Sequence, residues 1–292
     1  MPSATSLRSL VLIAIGAILL MSFVPVLIRY TQANEATIGI VRLAIGAAGL
    51  LIMLIFVKKR PQLNRHDWFW LIFLGAVFAV HWYTYFRSIK LADASLAAIG
   101  VATFGIHLLL LNSLFFGEKL KLVDGFAVSM SFAGIYIASP AIDLDSAKLT
   151  GFIFSIVSGF LYACLPLINR QLAHLPTNTR ALGQFGFGLL AFLVLLPQAN
   201  FQLGAIDWLS LLMLGLVCTL VAHTLWIKVS TELPANFTAV IYYGYVPMAM
   251  LLSYLFLNES ITWQKITGAI FIIGANILVV FEHQRNKLVP AE

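Results

Sequence analysis

Ten apolar stretches, each long enough to cross a bilayer, take up almost all of this 292-residue chain, and the last five echo the first five at a constant offset of 141 positions. They fall at 8–29, 36–57, 67–87, 95–116, 122–140, 150–171, 181–197, 207–228, 236–257 and 262–281. A hydrocarbon core of about 30 Å needs roughly 20 helical residues, and most of the stretches comply. Unpaired backbone groups are intolerable in lipid, so runs this long and continuously apolar are predicted to be helices; barrel strands would be half as long and would alternate. Apolar residues make up 61% of the chain and charged residues 10%, with a mean hydropathy of +0.94, whereas about a quarter of a soluble domain is charged. The run from Leu10 to Ile28 follows Arg8 but exceeds a signal-peptide core and carries no clear small-residue cleavage signal, so it reads as the first span.

The repeat is visible residue by residue. Pro25-Val26-Leu27-Ile28-Arg29 returns as Pro166-Leu167-Ile168-Asn169-Arg170, Leu91 to Ser95 meets Glu232 to Asn236, and Glu118 meets Glu259. Ala127 and Ala133 align with Gly268 and Gly274, small residues that could admit close helix contact. Five spans per copy make the second copy enter the membrane from the opposite side. The expected fold is therefore an all-α integral membrane protein of ten transmembrane helices in two inverted five-helix repeats, 1–141 and 148–284, followed by a cytoplasmic tail, 285–292. Inverted repeats let one pattern build two gates around a central site, the usual architecture of secondary carriers. With both termini cytoplasmic, twelve of the Lys and Arg residues lie on the inner side and five on the outer, leaving Arg42 inside a span. That asymmetry accounts for the net charge of +6 without nucleic acid.

The same residues resemble a known family, the EamA-type transporters of the drug/metabolite transporter superfamily. The likeness is carried by Ser22-Phe23-Val24-Pro25, Arg42-Leu43, His81 to Phe86 leading to Ala92-Asp93-Ala94-Ser95-Leu96-Ala97-Ala98, Phe116-Gly117-Glu118-Lys119-Leu120 and Gly134-Ile135. In the second half it is carried by Ala235 to Ala239, Pro247, Leu257 to Ile261 and Gly268 through Gly274. The resemblance implies a ten-helix carrier in which the first four helices of each half surround a cavity and the fifth is peripheral, moving small metabolites, often outward. Two departures stand out: the proline often placed in the fourth span is Ile106 here, aligned with Pro247, and Arg42 aligns with Gly183. The two halves are thus not equivalent gates.

The chemistry rests on polar residues at depth. Arg42 has no acidic residue within one helical turn, Glu35 being seven residues earlier. A charge there needs a partner, water or a ligand, so Arg42 is expected either to receive a substrate carboxylate or close the outer gate, or else to pair with carbonyls or a helix end; both readings stay open. His81, His107 and His223 near mid-span would suit proton exchange, although a hydrogen-bonded packing role fits each of them alone better. Tyr83, Tyr85, Phe104, Tyr162, Trp226, Tyr242 and Tyr245 complete the expected binding set, as rings suited to amphipathic solutes. Pro25, Pro166 and Pro247 are the expected gating hinges. Glu118 and Glu259 read as helix caps, and Cys164 and Cys218 as packing residues.

No catalytic, cofactor or metal set is expected: the chain has no HExxH, GxSxG or Gly-rich phosphate loop, and no mid-membrane carboxylate. The expected partners are a small-molecule substrate and the lipid bilayer, with proton coupling and a homodimer left open. The sequence reads as a bacterial inner-membrane carrier exporting amino acids or related amphipathic solutes by alternating access. A lipid-scrambling or purely structural membrane protein is the competing reading, because scrambling needs only a groove.

Overall fold

The computed structural model describes residues 6–56, 61–117, 119–139, 146–233 and 235–288; the side chains of 235–237, 239 and 283–288 fall outside that description. Lys58, Lys59, Arg60 and Glu118 lie outside the described residues, as do the Arg285 and Lys287 side chains and the tail from 289.

The spans are α1 (Leu7–Tyr30), α2 (Glu35–Ile55), α3 (Arg65–Leu91), α4 (Ala94–Phe116), α5 (Leu122–Ala138), α6 (Ala147–Gln171), α7 (Thr177–Gln198) and α8 (Ala205–Glu232). Then come α9, in two pieces (Ala235–Tyr243 and Tyr245–Leu257), and α10 (Trp263–Leu288). Among the described residues nine helices are long and apolar enough to span, and α5 is shorter at 17 residues. Starts are fixed by side-chain caps that satisfy otherwise orphaned N–H groups: Asn34 accepts from Thr37 N–H, and Asn64 and Asp67 form a capping box on α3. Leu51, Ile55, Phe115, Phe126 and Phe132 point outward, a ring of exposed apolar side chains that only lipid can cover.

The inverted repeat is written into irregularities as well as helices. Helix α4 breaks at Ala102–Thr103 and α9 at Gly244, equivalent places in the two copies. Both helices end on a left-handed residue, Gly117 (φ 66°) and Asn258 (φ 53°), again 141 positions apart. Gly takes that conformation without a Cβ penalty and Asn tolerates it. Packing follows the pseudo-symmetry: α3 lies along α6 as α1 lies along α8, and α4 meets α9 between the halves.

Helices α5 and α10 pair with each other at the edge of the bundle. The contact runs through Gly134 and Gly268, and a Cβ at Gly268 would stand 2.6 Å from the Ala138 Cβ and 2.7 Å from the Gly134 carbonyl oxygen. Gly274 joins this seam against the Met130 side chain, while Ala127 packs with Ile106 and Ala275. Gly268→Val is expected to overpack the seam and cost about 1–3 kcal/mol, lowering Tm in detergent. Gly125→Ala on α5, where a Cβ meets nothing within 4 Å, should leave Tm unchanged or slightly raised.

Candidate functional site

Between the halves lie two joined spaces. A deep chamber is walled by Arg42, His81, Trp82, Tyr85, Phe86, Cys218 and Tyr245 with Met21, Val24 and Val101, and a vestibule of about 440 Å³ by Phe104, Pro166, Asn169, Arg170, Arg180, Gln184, Trp226, Ser230, Thr231 and Thr238. Tyr162, His223 and Tyr242 belong to both walls. The vestibule is of small-molecule size. The chamber, about 40 Å³, holds a few waters at most, so a solute can enter it only if the surrounding helices part.

Arg42, 2% exposed, sits in the chamber without a carboxylate. Its Nε donates to Thr219 Oγ1 at 3.0 Å, and its guanidinium carbon lies 4.0 Å from the Trp82 ring centre and 5.2 Å from that of Phe86. Thr219 is held by donating at 2.8 Å to the Leu214 carbonyl five residues back, a reach made natural by the π-helical turn of α8 over Met213–His223. Glu35 is engaged elsewhere, with Arg87 at 3.1 Å. A central arginine costs roughly 2.5–3.5 kcal/mol to insert. A desolvated cation–π contact offsets about 2 and a neutral hydrogen bond about 1. The side chain is therefore tolerable where it is, yet its buried Nη1 has no hydrogen-bond partner.

Around it the two halves interlock. The Tyr85 and Tyr245 hydroxyls bond to each other and His81 Nδ1 meets Ser158 Oγ at 2.8 Å, across the halves, while within the second half Trp226 Nε1 donates to Tyr162 at 2.9 Å. Gln184 reaches His223 at 3.3 Å, and Phe104 stands edge-on to Tyr242 at 4.5 Å. Of the predicted residues, Arg42, His81, Tyr85, Phe104, Tyr162, His223, Trp226, Tyr242 and Tyr245 come together here. Tyr83 and His107 do not. Tyr83 is half-buried against the core away from both spaces, and His107 packs edge-on to Phe160 with Nε2 unpaired. Pro25 opens the piece of α1 after a break at Ser22–Phe23, Pro166 lies inside an unbroken α6, and Pro247 lines a separate apolar pocket between α9 and α10. Sequence reasoning missed Thr219, Ser158, Gln184 and Arg180, small or end-of-span polar residues with no pattern of their own. Cys218 does more than pack, since it also walls the chamber.

The far end is sealed. Asp93, in the turn between α3 and α4, pairs with Lys265 and Lys148, each at 3.1 Å, and Lys265 also donates to Ser95 Oγ at 2.7 Å. Burial alone would raise the Asp93 carboxyl, but Lys265, the Leu96 N–H and Lys148 together hold it below its ordinary value. Glu259 caps a helix, but not the following one as its position in the sequence suggests: it accepts from Ala94 N–H at 2.8 Å and Ser95 N–H at 3.1 Å, across the halves. Arg29 donates to the Ile89 and Lys90 carbonyls, Lys90 to that of Thr31, and Asp207 accepts from Gln32 N–H.

Comparison with known proteins agrees with this architecture. A crystal structure of a protein with 18% sequence identity superposes with a TM-score of 0.68 over 97% of this chain and 100% of its own, a likeness of fold. The uncharacterised transporter YxxF of Bacillus subtilis strain 168 is 21% identical over 241 residues, covering 80% of this chain and 76% of its own length. An uncharacterised transporter in the cobO 3' region of a Sinorhizobium species is 32% identical over 84 residues, 26% of this chain and 55% of its own. The model of the EamA-like transporter family matches twice, over residues 8–139 and 149–281. With that double match on two inverted five-helix halves, the chain belongs to the EamA-like transporter family and is a membrane transporter.

Proposed function

We propose that this transporter exports small carboxylate-bearing amphipathic solutes, amino acids or their relatives, across a bacterial inner membrane by alternating access. The observation that carries this reading is the buried, carboxylate-free Arg42 on the chamber wall, whose Nη1 has no hydrogen-bond partner. A cation at depth with no acidic partner and an unpaired donor is completed by an anionic ligand.

The excess of Lys and Arg at the vestibule end supports the reading that this end, and both termini, face the cytoplasm. A solute loads from the cytoplasm between Trp226, Tyr162, Tyr242 and Phe104. Its carboxylate meets Arg42 when the Tyr85 and Tyr245 hydroxyls separate. Repeats 1–141 and 148–284 are the rocking units, with Pro25, Pro166 and Pro247 as compliant points, and the Asp93 cluster is the outer gate. His81 and His223 are the imidazoles on the chamber wall, and proton coupling through the chamber would involve them.

Purified protein in liposomes should give saturable, solute-selective flux; lipid scrambling without it would sink the carrier reading. Arg42→Gln removes a charge-assisted hydrogen bond of about 1.5–3 kcal/mol, so KM for carboxylates should rise roughly 10- to 100-fold. Unchanged kinetics for every carboxylate would take Arg42 out of the site.

Asp93→Asn tests the gate, because Asn keeps the helix cap while removing the charge. In a Cys164→Ser background, a membrane-impermeant thiol reagent added outside should modify Cys218 several-fold faster with Asp93→Asn than without it. An unchanged rate would acquit Asp93 of any gating role. The folded Asp93 carboxyl is shifted downward from 3.8, so its contribution is fully present above that pH and is lost as pH falls through the lowered value. Tm of the wild type should therefore drop in strong acid by more than that of Asp93→Asn.

A further inference from the structure

Resting on the carrier reading above but narrowing its solutes from amino acids to carboxylates without an ammonium group, we infer that the solute is a net anion rather than a zwitterion, and that Arg180 is its loading site at the mouth of the vestibule. Three arginines, Arg42, Arg170 and Arg180, stand on the walls of the two spaces, and among the described residues neither wall holds an Asp or Glu. An ammonium group entering with a carboxylate would meet repulsion from these cations and find no carboxylate to accept it. Of the described carboxylates, Glu35 pairs with Arg87, Asp67 with His174, Asp93 with two lysines and Glu259 with the start of α4; Glu232, next in the chain to the vestibule residue Thr231, is exposed and lines neither space.

Arg180 is 5% exposed and has no carboxylate partner among the described residues. Its hydrogen bonds to Asn169, Thr177 and Thr231 are all long, at 3.4–3.5 Å, and its Nε has none. A guanidinium so loosely held by neutral groups can give its donors to an anion without breaking an ion pair. It lies in the first turn of α7, at the vestibule end. One turn deeper on the same helix, Gln184 bonds to His223, which walls both spaces. Arg180 and Arg42 are therefore stations at two depths, with Gln184 and His223 between them.

The repeat explains why each station is single. Arg42 aligns with Gly183 and Arg180 with Gly39, and those equivalent positions are closed, Gly183 by Leu71 and Gly39 by Phe192. The Trp226, Tyr162, Tyr242 and Phe104 rings beside Arg180 suit an aromatic or apolar body.

Three probes of one ring size separate the charge classes: 3-phenylpropanoate, phenylalanine and 2-phenylethylammonium. Binding is measured by titration of the purified full chain in detergent, and flux separately in liposomes. Expected are an affinity for 3-phenylpropanoate at least 10-fold above that for phenylalanine, no saturable binding of the amine, and weakening of the anion as salt rises. Arg180→Gln should lower the affinity for the anion about 10-fold at unchanged Tm, and Arg180→Lys should restore most of it. Phenylalanine binding as tightly as the propanoate overturns the charge assignment while leaving the carrier reading intact. Arg180→Gln with undiminished affinity for the anion overturns the loading site. Tight binding of the anion with no flux of any probe upholds the inference and counts against the carrier reading, and no binding of any probe overturns the inference.

Discussion

A guanidinium held deep in the membrane by two ring faces and one hydroxyl is the interaction on which the centre of this structure depends. Arg42 comes from α2, Trp82 and Phe86 from α3, and Thr219 from α8, so the contact ties both halves to one charge. Neither ring nor hydroxyl neutralises that charge. The surrounding rings and hydroxyls keep it desolvated enough to be strong and unsatisfied enough to bind. Thr219 can serve only because α8 widens into a π-helix there, so an irregular stretch of backbone is part of the same device.

The two ends of the chamber are built from one duplicated pattern, yet they carry different interactions. Asp93 aligns with Pro234 and Lys265 with Asp124, so the ion pair across the sealed end has no charge-equivalent at the other. Asp124 instead receives the Lys121 N–H at 2.7 Å as part of a cap on its own helix. Opposed charges bridging α10, α6 and the α3–α4 turn favour the conformation closed at that end. The vestibule end, with aligned positions carrying no such pair, is the one found open.

Much of the fold was legible because hydropathy and period are local. Ten spans, the duplication and the aligned small residues Ala127, Ala133, Gly268 and Gly274 each need only neighbouring residues or the offset to be seen, whereas the pairing of α5 with α10 through Gly134 and Gly268 does not follow from them. The cluster of Arg42 with tyrosines from both halves was legible because polar atoms at depth are few and must have a reason. What stayed hidden depends on tertiary contact. Glu259 stands next to α10 in the chain but caps α4, because the two halves meet there and the carboxylate reaches the nearest unsatisfied N–H groups. Tyr83 and His107 lie on the same helices as true chamber residues but point elsewhere, which a helix of unknown rotation does not reveal. Thr219 looked like any small polar residue in an apolar run.

Not every helix break carries a proline, nor every proline a break. Helix α6 runs unbroken through Pro166, whereas α4 breaks at Ala102–Thr103 with no proline in it. Thr103 Oγ1 donates at 2.7 Å to the Gly100 carbonyl, and Gly244 N–H donates at 3.1 Å to that of Ile241, so in both helices a tight local bond replaces part of the helical ladder. Gly159 of α6 lies against this turn, where a Cβ would stand 2.8 Å from Thr103 Oγ1 and 3.0 Å from the Val101 carbonyl oxygen. Any side chain there would wedge the helices apart. Since α4 and α9 meet between the halves and break at equivalent residues, the two turns are where these helices depart from the regular ladder without leaving their backbone groups unbonded, the one requirement that lipid does not relax.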